Sequence, residues 1–207
     1  MNDSYSSLER KFLAPARRVL RALFAPLVGA LATLRVSPNA VSFSQVPLGA
    51  LVVALMPTQP RGAFVLFVLA LMLDGVDGAL ARATNRVTRF GALFDQYCDH
   101  FREVLVIAGL AFWGALNPLL AGLYGIVYPA FNLTLYLCNH YRVPLPFALK
   151  SYLVVYPALF TYLWFGANFL DAAVALALVA MGIVIALGLG RLARAMDGDE
   201  GRTTNDE

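Results

Sequence analysis

Charge and cysteine are both scarce in this chain. Only 14% of its 207 residues are charged, against 59% hydrophobic, and mean hydropathy is +0.67. A soluble domain of this size would leave too much apolar surface in water. Two cysteines, Cys98 and Cys138, stand in apolar or helical context without CxxC spacing. That excludes a disulfide framework and a zinc site and leaves both as small buried residues. No solenoid repeat is present. Basic residues are missing from the connections near Ala115 to Pro118 and Gly166 to Asp171. Because they are distributed by topology, with a net charge of only +3, no nucleic-acid partner is expected.

What is present is long apolar blocks, such as Leu170 to Leu189 with Asp171 as its single charge, the length needed to cross a bilayer core. The pattern predicts an all-α integral membrane protein with six transmembrane helices, near 40–57, 62–81, 91–115, 118–139, 148–167 and 170–190. The organisation is an N-terminal cytoplasmic segment 1–36, a six-helix transmembrane domain 37–196 and a polar, disordered tail 197–207. Arg10, Lys11, Arg17, Arg18, Arg21, Arg35, Arg82, Arg86, Arg89, Arg142, Lys150, Arg191, Arg194 and Arg202 then share one side, and the other receives only Arg61. By the positive-inside rule both termini are cytoplasmic, which an even number of spans satisfies.

Before the first span, Leu8 to Leu34 mixes arginines with Phe12, Leu13, Val19, Leu20, Leu23 and Phe24 at roughly helical spacing. It reads as an amphipathic helix in the headgroup layer. A cleaved signal peptide is the rival, but Pro15 and Pro26 interrupt the stretch and a second membrane segment follows. Ser37-Pro38-Asn39 marks the entry to span one.

Four aspartates interrupt the facing ends of spans two and three. One Asp at a helix centre costs about 2.5 to 3.5 kcal/mol on insertion scales, so four unpaired ones would cost on the order of 10 kcal/mol. Asp74 and Asp77 are three apart and Asp95 and Asp99 four apart, so each pair projects from one face of its helix. Two antiparallel helices joined by a loop from about Thr84 to Phe90 would bring the pairs together as an all-oxygen site for Mg²⁺ or Mn²⁺. Ion pairing with Arg82, Arg86, Arg89 and Arg102 is the structural alternative. Gly75 and Gly78 stand mid-helix, where each costs about 1 kcal/mol relative to Ala. With Ala79 and Ala81 they make a small-residue face that admits a ligand or another helix.

The run Asp74-x2-Asp77-Gly78-x2-Ala81-Arg82-x8-Gly91-x3-Asp95-x3-Asp99 resembles, without departure at any fixed position, the signature of the CDP-alcohol phosphotransferase family. Eight specified residues at fixed spacing arise by chance about once in 10¹⁰ at a given position. The resemblance implies that Asp74, Asp77, Asp95 and Asp99 hold two divalent ions. It implies that Asp74, Asp77, Gly78, Ala81, Arg82 and Gly91 bind the CDP donor, that Asp99 is the catalytic general base, and that the protein is a homodimer. The implied reaction is metal-dependent transfer of a phosphoalcohol group, such as the phosphatidyl group of CDP-diacylglycerol, to a hydroxyl acceptor with release of CMP.

The motif leaves the acceptor open. A phosphorylated acceptor needs cationic groups near the surface, for which Arg102, Arg142, Lys150 and Arg191 are the candidates. Gln96 after Asp95 and His100 after Asp99 depart from glycerophosphate-transferring relatives, which usually carry proline and lysine or arginine there. His100 and His140 read as solvated or structurally hydrogen-bonded. A membrane scaffold and a transporter with an acidic cation site are the readings from other classes.

Overall fold

The computed structural model describes residues 23–143, 145 and 152–203, the side chains of 197–203 excepted. They form helix α1 (Leu23–Thr33), α2 (Pro38–Leu55), α3 (Pro60–Ala83), α4 (Arg89–Phe112), α5 (Pro118–His140), α6 (Tyr152–Phe165) and α7 (Leu170–Thr203). Their starts follow from local chemistry. Ser37, Thr88 and Asn117 each turn a side-chain oxygen onto a first-turn N–H, at 3.1, 2.9 and 2.9 Å. Proline opens α2, α3 and α5, where its missing N–H costs nothing. Their ends sort by side of the molecule. After α1, α3 and α5 the chain turns through left-handed Arg35, Asn85 and Arg142, whereas after α4 and α6 it turns through Gly114 and Gly166.

α2 packs against α3 and α4, α4 against α5, α5 against α7, α7 against α6, and α6 against α3, which closes a ring of six. The sequence expectation brought α3 and α4 together through their short connection. They meet through their aspartates, while the extensive packing of each is against α2. The α2–α4 contact is close because Gly109 has no side chain: a Cβ there would stand 2.5 Å from Val53 Cγ2. Gly188 lets α7 approach Thr134 and Cys138 of α5 in the same way. Phe67, Ile107, Leu110, Tyr124, Phe131, Leu159 and Met181 fill the core, and Cys98 and Cys138 are buried free thiols, as expected. α1 lies across the end of the ring, with Val28 against Val41, Val76 and Leu80.

α2, α3, α5 and α7 as far as Met196 are long and apolar enough to cross a membrane, so this is a multi-pass helical membrane protein. α4 and α6 do not qualify on length and composition. α4 has 24 residues but carries Arg89, Asp95, Asp99, Arg102 and Glu103. The described part of α6, Tyr152–Phe165, has 14 residues, about 21 Å of helix against a hydrocarbon core of about 30 Å. Leu8 to Ala22 of the expected amphipathic helix lies outside the described residues. α7 runs on through Asp197 to Thr203, a stretch expected to be irregular, because extending a helix is far cheaper than starting one.

Candidate active site

The aspartates sit at the end of the ring where α3 finishes and α4 begins. Their contacts run across helices rather than along them: the carboxyls of Asp77 and Asp95 lie within hydrogen-bond reach of each other, and so do those of Asp74 and Asp99. Asp77 is 3% exposed and has both oxygens engaged, Oδ2 by the Ser42 hydroxyl at 2.6 Å and Oδ1 by the Gly78 N–H at 2.5 Å. Arg102 Nη1 stands 2.9 Å from Asp99 Oδ1, an ion pair within α4. Asp95 Oδ1 is a buried acceptor with no hydrogen-bond donor, while Asp99 Oδ1 has the Arg102 ion pair.

Acidic groups crowded this closely repel unless cations or shared protons intervene. Among the described residues no three carboxylate, imidazole or thiol groups gather into a ready cation cage; the geometry is two pairs. Even so, the donor set fits a hard divalent ion. It is all oxygen, and one of its buried oxygens, Asp95 Oδ1, lacks any other partner.

The residues expected on the donor side lie beside these pairs. Arg82, exposed at the last turn of α3, lies over Gly78, whose missing Cβ would be 3.4 Å from Arg82 Nη1. Gly91 is hemmed in by Thr88 Oγ1 and Asn39 Oδ1, which an added Cβ would meet at 3.0 and 3.3 Å. Ala81 is half-buried.

The acceptor candidates separate. Arg102 is 3% exposed and faces inward, where its Nη1 donates to Gln45 Oε1. Arg142 and Arg191 share a surface cleft of about 540 Å³ with Val143, Arg194 and Ala195. Lys150 lies outside the described residues. His100 is half-buried with its ring edge-on to Tyr128 at 5.2 Å, and His140 is exposed and stacked on Tyr136.

Three polar residues around the site escaped the sequence reading: Ser42, Gln45 and Glu103. Glu103 is 2% exposed and accepts from the Tyr124 hydroxyl at 2.9 Å and the Tyr156 hydroxyl at 2.8 Å, tying α4 to α5 and α6. Its signal was available, because the cost argument applied to the aspartates covers any carboxylate in that span. Ser42 and Gln45 gave a fainter one, two polar residues three apart on the face of an apolar helix.

Residues 35–190 match the family model described as CDP-alcohol phosphatidyltransferase. Curated relatives include phosphatidylinositol phosphate synthases. That of Mycobacteroides abscessus is 48% identical over 46 residues, 22% of this chain and 21% of the relative. That of Mycobacterium marinum is 37% identical over 104 residues, 47% of this chain and 44% of the relative. A human CDP-diacylglycerol–inositol 3-phosphatidyltransferase is 32% identical over 74 residues, 36% and 35% of the two chains. The chain thus spans less than half the length of the curated relatives it matches. A crystal structure of Mycobacterium tuberculosis phosphatidylinositol phosphate synthase with CDP-DAG bound has the same fold. Its TM-score is 0.65 at 18% identity, over 81% of this chain and 92% of that one. A second, with manganese and citrate, has a TM-score of 0.64 at 20% identity, over 81% and 87% of the two chains.

Proposed function

This chain belongs to the CDP-alcohol phosphatidyltransferase family, and from that premise we propose that it moves the phosphatidyl group of CDP-diacylglycerol onto the hydroxyl of an alcohol and releases CMP. The observation that carries the reading is the meeting of Asp74 with Asp99 and of Asp77 with Asp95, with Asp95 Oδ1 lacking a donor.

The acceptor oxygen forms a bond to the phosphorus bearing the diacylglycerol, and the bond from that phosphorus to the bridging oxygen of CMP breaks. Asp99 takes the hydroxyl proton, since an alcohol is too weak an acid to lose it unaided near neutral pH. Arg82, free to swing at the end of α3, faces the donor's phosphates, and Gly78 and Gly91 leave room for the nucleotide. Asp74, Asp77, Asp95 and Asp99 would hold Mg²⁺ or Mn²⁺, two ions by family resemblance, and such ions neutralise charge building on the departing phosphate. The lipid tails stay in the bilayer while CMP leaves to the cytoplasm, on which side the termini and the site lie; the working unit is a homodimer.

For the acceptor, the Arg142, Arg191 and Arg194 cleft favours a phosphorylated polyol. An inositol phosphate fits that chemistry and agrees with the printed names of the relatives above. The test is CMP release by purified protein given CDP-diacylglycerol, Mg²⁺ and a panel of alcohols. Turnover with inositol phosphate supports the full reading. Turnover with a different alcohol retains the reaction and discards the acceptor, and no turnover with any acceptor favours a scaffold or transporter.

A further inference from the structure

We propose that Ser42 and Gln45 of α2 are positioning residues that hold the two halves of the carboxylate site, Ser42 by fixing Asp77 of α3 and Gln45 by fixing Arg102, and through it Asp99, of α4. The inference rests on the reading of those carboxylates as the ion and donor site. Among the described helices α2 packs against both of those bearing the acids, so it is placed to set one against the other. Ser42 and Gln45 are one turn apart and 2% and 0% exposed, and Gly49 follows on the same face.

Each contact is more specific than burial demands. A serine inside a helix ordinarily turns its hydroxyl to the carbonyl four residues back. For Ser42 that contact, to Pro38, is 3.3 Å, while the one to Asp77 is 2.6 Å, in the range of a charge-assisted bond. Gln45 accepts from Arg102 with Oε1 and leaves its Nε2 without a partner. A glutamine kept only to satisfy the interior would not strand half its amide. Gly49 completes the stripe by making space: a Cβ there would lie 3.2 Å from Arg102 Cγ and 3.4 Å from Arg102 Cα. Arg102 is thereby pressed onto α2 with its Nη1 directed at both Gln45 and Asp99. Without Ser42 the Asp77 carboxylate loses its cross-helix anchor; without Gln45 the Arg102 head is free to rotate away from Asp99.

The test compares the full chain in lipid nanodiscs with Ser42→Ala, Ser42→Thr, Gln45→Met and Gln45→Glu variants. Mn²⁺ binding is read by electron paramagnetic resonance without donor, and CMP release is measured separately. Ser42→Ala and Gln45→Met should each weaken Mn²⁺ binding by about 10-fold, as loss of a partner that orients a ligand does. Ser42→Thr keeps the hydroxyl and Gln45→Glu keeps the acceptor oxygen, so both should restore binding, which a merely structural role would not require. In turnover the loss should fall on kcat while KM for the acceptor stays put. Wild-type Mn²⁺ affinity in the Ala and Met variants, or equal loss in all four, overturns the inference. Wild-type protein that binds no Mn²⁺ overturns it together with the metal reading. Protein that binds Mn²⁺ with the expected variant pattern but releases no CMP sinks the proposed reaction and leaves this inference supported.

Discussion

Asp99 faces the Arg102 cation and the Asp74 carboxyl, whereas both oxygens of Asp77 accept hydrogen bonds. The difference separates their expected roles. Asp99→Asn keeps the size of the side chain but removes the group that can accept a proton. CMP release should fall by at least about 100-fold, the low end of what a general base contributes, while CDP binding, followed by calorimetry, stays within a few-fold. Normal turnover in that variant removes Asp99 from the base role. Asp77→Asn instead should weaken Mg²⁺-dependent nucleotide binding itself, because Asp77 is held rigid by Ser42 and Gly78; unchanged binding counts against ligation. At this scale the aspartates were legible because a carboxylate in a membrane span is expensive enough to stand out of any apolar run. Ser42 and Gln45 were not. Neutral polar residues near a helix start are common, and only the packing of α2 against both α3 and α4 gives them partners.

Helix starts were legible to within a few residues, because proline and capping side chains punctuate them: Pro38, Pro60, Thr88 and Pro118 all stand within three residues of a predicted start. Packing was not. The short Thr84–Phe90 connection pointed to α3 lying on α4, and no pattern in either helix says that each packs chiefly on α2. Glycine carries that information only after the fact. Gly109 tolerates no side chain, since a Cβ would meet Val53 Cγ2, Cγ1 and Cβ at 2.5, 2.6 and 3.0 Å, and a β-branched valine has few rotamers to escape into. Gly109→Ala should therefore destabilise the protein by about 1–3 kcal/mol, the usual range for overpacking, despite alanine's higher helix propensity. Thermal unfolding in nanodiscs checks it. A gain in stability would mean that α2 and α4 are not in close contact, and with it the cross-helix placement of Ser42 and Gln45 would fall.

Across the whole molecule the two ends of the ring differ in kind. One end carries the aspartates, the left-handed turns at Arg35, Asn85 and Arg142, and the cleft shared by Arg142, Arg191 and Arg194. Replacing Arg142 and Arg191 together by glutamine removes two cations from that cleft. It should raise KM at least about tenfold for a phosphorylated acceptor, equal to about 1.4 kcal/mol and modest beside the worth of a hydrogen bond to a charged group, with little change for the CDP donor. The other end is closed by polar ties between connections: Asn168 Nδ2 donates to the Ala115 carbonyl at 2.7 Å, and the Asn117 N–H donates to Asp171 Oδ1 at 2.8 Å. Its lone arginine, Arg61, lies over the Trp164 ring at 5.8 Å. If all six helices α2 to α7 cross, including α4 with its charges and α6 with its 14 described residues, then Gln59 and Ala167 face outward while Arg86 faces the cytoplasm. All three are exposed, and the natural cysteines are buried, so cysteine substitutions report cleanly. In intact cells a membrane-impermeant maleimide should label Gln59→Cys and Ala167→Cys but reach Arg86→Cys only after permeabilisation. The decisive position is Ala167, just past α6. Protection there with Gln59 still labelled means that α6 stops short of the far surface and the count drops below six. Labelling of Arg86 from outside would invert the protein and put the carboxylate site on the wrong face for a cytoplasmic nucleotide.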